Sequence, residues 1–140
     1  MKILITIIAG TFLSFIAVSY SVAQSPSVIR HLHQYVITKD VDVNEFKELI
    51  DENKGTILDV RTKDEITSGI IKGAIHIDYY SSDFKEQLEQ LDKNKPVYVY
   101  CASGGRSSGA MNKMKGMGFT TIYNLEGGMG AWKASGFPVE

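Results

Sequence analysis

Residues 97–108 read VYVYCASGGRSS. The first four form an uninterrupted run of β-branched and aromatic residues, which is typical of a strand covered on both faces. Two adjacent glycines then allow a tight loop, and a helix is predicted to begin near Ser107. A buried strand that leads through a short loop into a helix is typical of parallel α/β domains. Cys101, the only cysteine, stands at the carboxyl end of this strand, where such sheets place their reactive crevice.

The same alternation continues on both sides of this stretch. Apolar spacing predicts helices at 42–53, 83–91, 107–117 and 127–135 and one helical turn at 65–68, with Asp42 and Glu45 at capping-box spacing. Short apolar runs predict further strands at 56–60, 74–77 and 121–124. We therefore expect one α/β domain over residues 40–140, with a mostly parallel central sheet of about five strands and helices on both faces.

The first 39 residues differ in composition from the rest. Lys2 precedes an apolar run at residues 3–18, and residues 21–23 place small side chains before a cleavage point after Ala23. This pattern predicts a secretory signal peptide at 1–23, because the run is shorter than the ~20 residues of a membrane anchor. Residues 24–39 read as a linker. An exported protein, periplasmic or extracellular and without stable membrane association after cleavage, is expected.

Charge and cysteine content exclude several classes of function. The formal net charge is -1, and without basic clusters no nucleic-acid partner is expected. A single cysteine forbids an internal disulfide, and no Cys/His cluster has zinc-site spacing. His31 and His33 could point to one side of a strand, but two imidazoles without a third ligand make a poor metal site. We expect them to be surface residues and predict no metal site.

The loop after Cys101 has the composition of an anion-binding nest. Small residues and adjacent glycines allow successive N–H groups to turn inward, and the following helix adds the positive end of its dipole. A sulfur there should have a lowered pKa, because these donors favour the thiolate. The alternative is an inert core cysteine, which does not explain the glycines and serines. The predicted binding residues are Ala102, Ser103, Gly104, Gly105, Arg106 and Ser107.

The spacing between Cys101 and Arg106 limits the kind of group that the loop is expected to bind. Four residues separate them, whereas phosphatases with a cysteine nucleophile use five and usually place a histidine before the cysteine. Tyr100 occupies that place here. The shorter loop makes a tighter ring of amides, which suits one extra sulfur on the cysteine better than a tetrahedral phosphate.

Four motifs in order make the chain resemble the single-domain rhodanese (sulfurtransferase) family from about residue 42 to 140. They are LDVR at 58–61 with Glu65, GIIKGAIHI at 69–77, CASGGRS at 101–107, and NLEGG at 124–128 with AW at 131–132 and GFPV at 136–139. Ile70 stands where the family usually has a histidine, at a position that is not catalytic. The resemblance implies a rhodanese-like fold.

The resemblance also implies a mechanism with Cys101 as the catalytic residue. Its thiolate takes the outer sulfur of a donor such as thiosulfate or a persulfide, and passes it to a thiol, or to cyanide in the test tube. No metal or organic cofactor is implied, and the partners are a small sulfur-donor anion or persulfide and an external thiol acceptor or reductant. Arg106, the only cation of the loop, either binds the donor or braces the loop.

Other interpretations stay open at this point. The protein could carry persulfide sulfur without turnover or sense oxidants through Cys101, and a phosphatase or arsenate reductase is a further alternative. Asp59, Arg61 and Glu65 are predicted to form a structural bracing ion pair and not to act in acid–base catalysis. Core or structural positions are expected for His76, Met111, Met114, Met117 and Trp132.

Overall fold

The computed structural model describes residues 35–140. Its strands are β1 (Ile37–Val41), β2 (Thr56–Asp59), β3 (Ile75–His76), β4 (Val97–Tyr100) and β5 (Thr121–Leu125). Its helices are α1 (Val43–Asp51), α2 (Lys63–Ile66), α3 (Phe84–Glu89), α4 (Gly105–Gly116) and α5 (Gly128–Ala134). The predicted signal peptide, the linker up to residue 34, and His31 and His33 lie outside the described residues. Within 35–140, no helix has the length and apolar character needed to span a membrane.

The five strands form one parallel sheet in the order β1-β5-β4-β2-β3, which confirms the predicted fold class. Every residue of the central strand β4 is buried. Because side chains alternate across a strand, Val97, Val99 and Cys101 join a core with α3 and α4. Tyr98 and Tyr100 join a second core with α1 and α5 on the opposite face. The helices therefore cover both faces of the sheet.

Strand β1 begins before the predicted start of the domain at residue 40. Its first three residues belong to the segment 24–39 that was predicted to be a linker. The strand lies at the sheet edge and is mostly exposed, so its sequence lacks the apolar pattern of a buried strand. It is held by parallel pairing with β5 and by a bond of 2.7 Å from the Asn124 amide to the Asp40 carboxylate. Pairing with a distant strand places it in the sheet.

Two helix starts set the positions of the charged residues near the site. Asp42 caps α1 as predicted, by accepting from the N–H groups of Asn44 and Glu45. The Glu45 carboxylate binds Lys39 at 2.6 Å and does not complete a capping box. A full capping box forms instead at α2, between Thr62 and Glu65. This capping box places Glu65 beside Arg106, at the edge of the loop of residues 101–107, the cysteine loop.

Candidate active site

The backbone of the cysteine loop is docked against the start of α5. The Cys101 carbonyl accepts from Met129 N–H at 2.8 Å, and the Ala102 carbonyl accepts from Gly130 N–H at 3.0 Å. Gly128 lies so close that a Cβ there would stand 2.4 Å from the Cys101 oxygen. Gly104 has φ 99, a left-handed conformation that glycine adopts at little cost. The loop can turn from β4 into α4 only because these positions lack side chains.

Cys101 is 1% exposed, and its sulfur lies among hydrogen-bond donors. Gly104 N–H donates to it at 3.1 Å, and the Ser107 hydroxyl lies 3.4 Å from it. Burial by itself raises the pKa of the thiol, but bonds from the Ser107 hydroxyl and from the N–H groups of residues 107, 103 and 104 outweigh burial and lower that pKa. The hydrogen bonds therefore favour the thiolate form of Cys101 more than an ordinary cysteine's surroundings would.

The Ser107 hydroxyl has a second acceptor, since its oxygen lies 3.0 Å from the Gly104 carbonyl oxygen. A hydroxyl has one hydrogen to donate. It can therefore bond to the carbonyl while the thiol is protonated and to the sulfur once the thiolate forms. Ser107 itself is fully buried, so water does not compete for this hydrogen. The arrangement favours the charged sulfur through hydrogen bonds.

Arg106 points its guanidinium at Glu65 of α2. Two parallel bonds of 2.7 and 2.6 Å join the two groups, and the side chains are 17% and 34% exposed. The bond from Arg106, together with those from Thr62, lowers the pKa of Glu65 to about 2 against the effect of burial. The carboxylate in turn raises the pKa of Arg106. The pair ties the start of α4 to α2, and the positive charge is neutralised.

The predicted trio of Asp59, Arg61 and Glu65 divides into two separate pairs. Asp59 and Arg61 are 0% and 2% exposed and bond to each other at 2.6 and 3.0 Å. Arg61 also donates to the Gly69 carbonyl at 2.7 Å, which satisfies the buried charge further. The Glu65 side chain instead pairs with Arg106, 41 residues away. Asp59 and Arg61 thus form one ion pair, and the Glu65 side chain forms another with Arg106.

The sequence is similar to a known protein family and to named relatives. The profile of the rhodanese-like domain family matches residues 42–135. The chain belongs to this family. Over 96 residues it is 34% identical to the thiosulfate sulfurtransferase GlpE of Coxiella burnetii, covering 69% of this chain and 88% of that protein.

Solved structures agree with the fold of this rhodanese-like domain. It superposes on a rhodanese-related protein from Thermoplasma volcanium with a TM-score of 0.65 and 30% identity, over 73% of this chain and 97% of that one. It also matches the polysulfide-sulfur transferase homodimer from Wolinella succinogenes, with a TM-score of 0.62 and 32% identity, over 76% and 79% of the two chains.

Two tyrosines that were not among the predicted site residues lie beside the cysteine loop of this rhodanese-like domain. Tyr80 is 69% exposed, and the Arg106 guanidinium carbon lies 5.7 Å from the centre of its ring. Tyr79 stands next to it, with 5.5 Å between ring centres, and packs on Gly109 of α4. No motif marks these residues. The available signal was an adjacent aromatic pair that follows the predicted strand at 74–77 after one intervening residue.

The other residues considered from the sequence form hydrogen bonds, pack in the core or lie at the loop surface. His76 Nε2 bonds to the Arg61 carbonyl at 2.8 Å, and Trp132 donates to the Pro138 carbonyl at 3.0 Å. Met111 and Met114 are buried in the core below α4. Within residues 35–140, no three His, Cys, Asp or Glu side chains group closely enough to hold a metal ion. Ser103 and Gly105 lie exposed at the loop tip.

Proposed function

We propose that this protein is a sulfurtransferase that takes a sulfane sulfur from an organic persulfide or polysulfide and passes it to a thiol. The observation that carries the proposal is the set of donors around Cys101, with Gly104 N–H at 3.1 Å and the Ser107 hydroxyl at 3.4 Å from the sulfur. The names of relatives, a thiosulfate sulfurtransferase and a polysulfide-sulfur transferase, support the same class.

The transfer is a pair of displacements without net oxidation. The Cys101 thiolate attacks the outer sulfur of R–S–SH, a new S–S bond forms, and the old S–S bond breaks with its electron pair on the leaving thiolate RS⁻. Cys101 then carries –S–SH, whose ionised form the loop amides stabilise in the manner of an oxyanion hole. An acceptor thiolate attacks the outer sulfur, becomes a persulfide, and leaves Cys101 as thiolate. With thiosulfate as the donor the leaving group would be sulfite.

The donor class follows from the charge of the loop. Thiosulfate is a dianion, and the only cation of the loop, Arg106, is already bound to Glu65 by two bonds. Residues 102–105 carry no charged side chain. A donor that brings less negative charge to the sulfur therefore fits this loop better than thiosulfate does. The same neutralised arginine disfavours phosphate or arsenate as substrate, because those oxyanions need free positive charge.

The transfer is tested by mass measurement on the purified full chain. We expect an organic persulfide to add the mass of one sulfur atom to the wild type and none to Cys101→Ser, and an added thiol to remove it with turnover. If no thiol removes the sulfur added to Cys101, the protein would instead be a sensor. If a thiol removes that sulfur only once, without repeated turnover, the protein would be a carrier. Failure of every sulfane donor to load Cys101, or turnover of a phosphate ester, would contradict the proposal.

We also infer that the protein is exported, and this inference rests on the sequence of residues 1–23 alone. The apolar run and the small residues before Gln24 support cleavage after Ala23. In an oxidising compartment the single thiol would depend on an external reductant or acceptor. Sequencing the amino terminus of protein from fractionated cells tests this. A terminus at Gln24 in the exported fraction is expected, and an intact amino terminus in the cytoplasmic fraction would overturn it.

A further inference from the structure

An exposed aromatic side chain stands at the rim of the cysteine loop. Tyr80 is 69% exposed, and the centre of its ring lies 5.7 Å from the guanidinium carbon of Arg106. The guanidinium in turn is close enough to Cys101 for the thiolate to raise the pKa of Arg106. The other exposed large apolar side chains of residues 35–140 lie elsewhere, at residues 35–37 and at Ile75. Tyr80 thus brings an aromatic surface to the loop that holds the sulfur.

Main-chain hydrogen bonds fix the position of this tyrosine relative to Cys101. Val60 N–H donates to the Tyr100 carbonyl at 3.0 Å, and Tyr79 N–H donates to the Val60 carbonyl at 3.4 Å. Neighbouring strands lie about 4.8 Å apart, so these two steps put the Tyr79 backbone about 10 Å from that of Cys101. Tyr79 also packs against the same core as Cys101. The tyrosine pair therefore lies on the side of the sheet that carries the sulfur.

Contacts on several sides hold the Tyr80 ring in place. Tyr79 meets it edge to face, with 5.5 Å between ring centres and 83° between ring planes. Tyr80 N–H donates to the Asp78 carboxylate at 2.9 Å. Arg106, on the other side of the ring, is itself fixed by its two bonds to Glu65. A ring held in this way needs little further ordering when a ligand packs on it.

The geometry of sulfur transfer puts the organic group of the acceptor at this rim. The sulfur to be transferred is bonded to Cys101, and the acceptor sulfur attacks it from the far side. Each S–S separation is about 2 Å, so the first carbon of the acceptor lies beyond a point about 4 Å from the Cys101 sulfur. Residues 102–105 are Ala, Ser, Gly and Gly and offer little apolar surface there. Tyr80 offers a large one.

We propose that Tyr80 forms a subsite for the organic group of the acceptor thiol, and that it favours acceptors with an aromatic group close to the sulfur. The proposal rests on the proposed sulfur transfer and concerns the step that removes sulfur from Cys101. An aromatic group stacks on the Tyr80 ring or meets it edge to face. Because Glu65 neutralises Arg106, the rim beside the ring does not require a charged acceptor.

Two acceptors separate the subsite from the chemistry. 2-Phenylethanethiol and 2-mercaptoethanol are both primary alkyl thiols, and only the first carries an aromatic ring. Cys101 is loaded with inorganic polysulfide, which has no organic group, and the rate constant for sulfur removal by each thiol is measured. We expect Tyr80→Ala to lower the ratio of the two rate constants about fivefold in disfavour of 2-phenylethanethiol. Tyr80→Phe should keep the wild-type ratio, and added salt should not change it.

Tyr35→Ala is the matched control, because Tyr35 is 91% exposed and precedes β1, at the edge of the sheet opposite β3. It should keep the wild-type ratio. A wild-type ratio in Tyr80→Ala, with or without equal losses for both thiols, would overturn the subsite.

Alkylation of Cys101 gives a readout that needs no sulfur transfer. N-benzyliodoacetamide carries an aromatic ring that iodoacetamide lacks, and its rate relative to iodoacetamide should fall in Tyr80→Ala but not in Tyr80→Phe. An equal relative rate in wild type and Tyr80→Ala would count against the subsite. If no sulfane donor loads wild-type Cys101 but this preference depends on Tyr80, the proposed transfer fails and the subsite stands.

Discussion

Replacing Glu65 with glutamine should release the charge of Arg106 and change which donors the loop accepts. In the wild type the carboxylate binds the guanidinium through bonds of 2.7 and 2.6 Å. A glutamine retains the shape of the side chain but not its charge. The freed cation then attracts a dianion more strongly than a singly charged donor. At about 1 kcal/mol for one additional interaction between partly exposed charges, kcat/KM for thiosulfate should rise about fivefold relative to that for 2-hydroxyethyl persulfide.

The same variant should be less stable. The pKa of Glu65 falls from 4.5 to about 2 on folding, and each unit corresponds to about 1.4 kcal/mol, so an upper bound is about 3 kcal/mol. Since the carboxylate is 34% exposed, solvent screening reduces this, and we expect a loss of about 1–2 kcal/mol in the free energy of unfolding. Urea denaturation at pH 7 measures this loss.

Sulfite release with thiosulfate and thiol release with the persulfide measure the donor ratio. Asp64→Asn is the control, because Asp64 lies in the same short helix and its removal changes the net charge equally. We expect that variant to keep the wild-type ratio. If Glu65→Gln leaves the donor ratio at the wild-type value although the protein is folded, neutralisation of Arg106 does not determine the donor, and the argument for a less charged donor is refuted.

Three further predictions concern the nest, the loop backbone and acid stability. Ser107→Ala should raise the pKa of Cys101, since a hydrogen bond to the charged sulfur is lost. The dependence of alkylation rate on pH measures this pKa, and an unchanged pKa would contradict the assigned donor. Gly128→Ala should destabilise the fold by about 3 kcal/mol, because the added Cβ would stand 2.4 Å from the Cys101 oxygen at φ 54, whereas Gly116→Ala, which meets open space, should not. Folding lowers the pKa of Glu65, so its contribution to the free energy of unfolding is full above pH 4.5 and is lost as the pH falls toward 2. When stability is measured against falling pH, Glu65→Gln should lack this part of the loss. A pH dependence of stability equal to that of the wild type would contradict this prediction.

The fold and the position of Cys101 were predictable because local sequence determines both. Residues 97–100 are apolar throughout and had to be a covered strand. The glycines and serines after Cys101 permit little except a tight turn into a helix. Since the strands of such a sheet run in parallel, Cys101 at the end of its strand lies at the carboxyl edge of the sheet. The predicted helices and strands therefore agree with the structure over most of residues 42–135.

The partners of the charged side chains were decided by tertiary structure alone. Glu65 follows Asp59 and Arg61 closely in sequence, yet the capping box at Thr62 turns its carboxylate toward Arg106. Strand β1 has no apolar pattern and exists because β5 offers free hydrogen-bonding groups. Sequence alone determined the place of Cys101 and its nest of amides, because neighbouring residues build them. The charge that a donor meets there depends on two residues 41 positions apart, and only the folded chain brings them together.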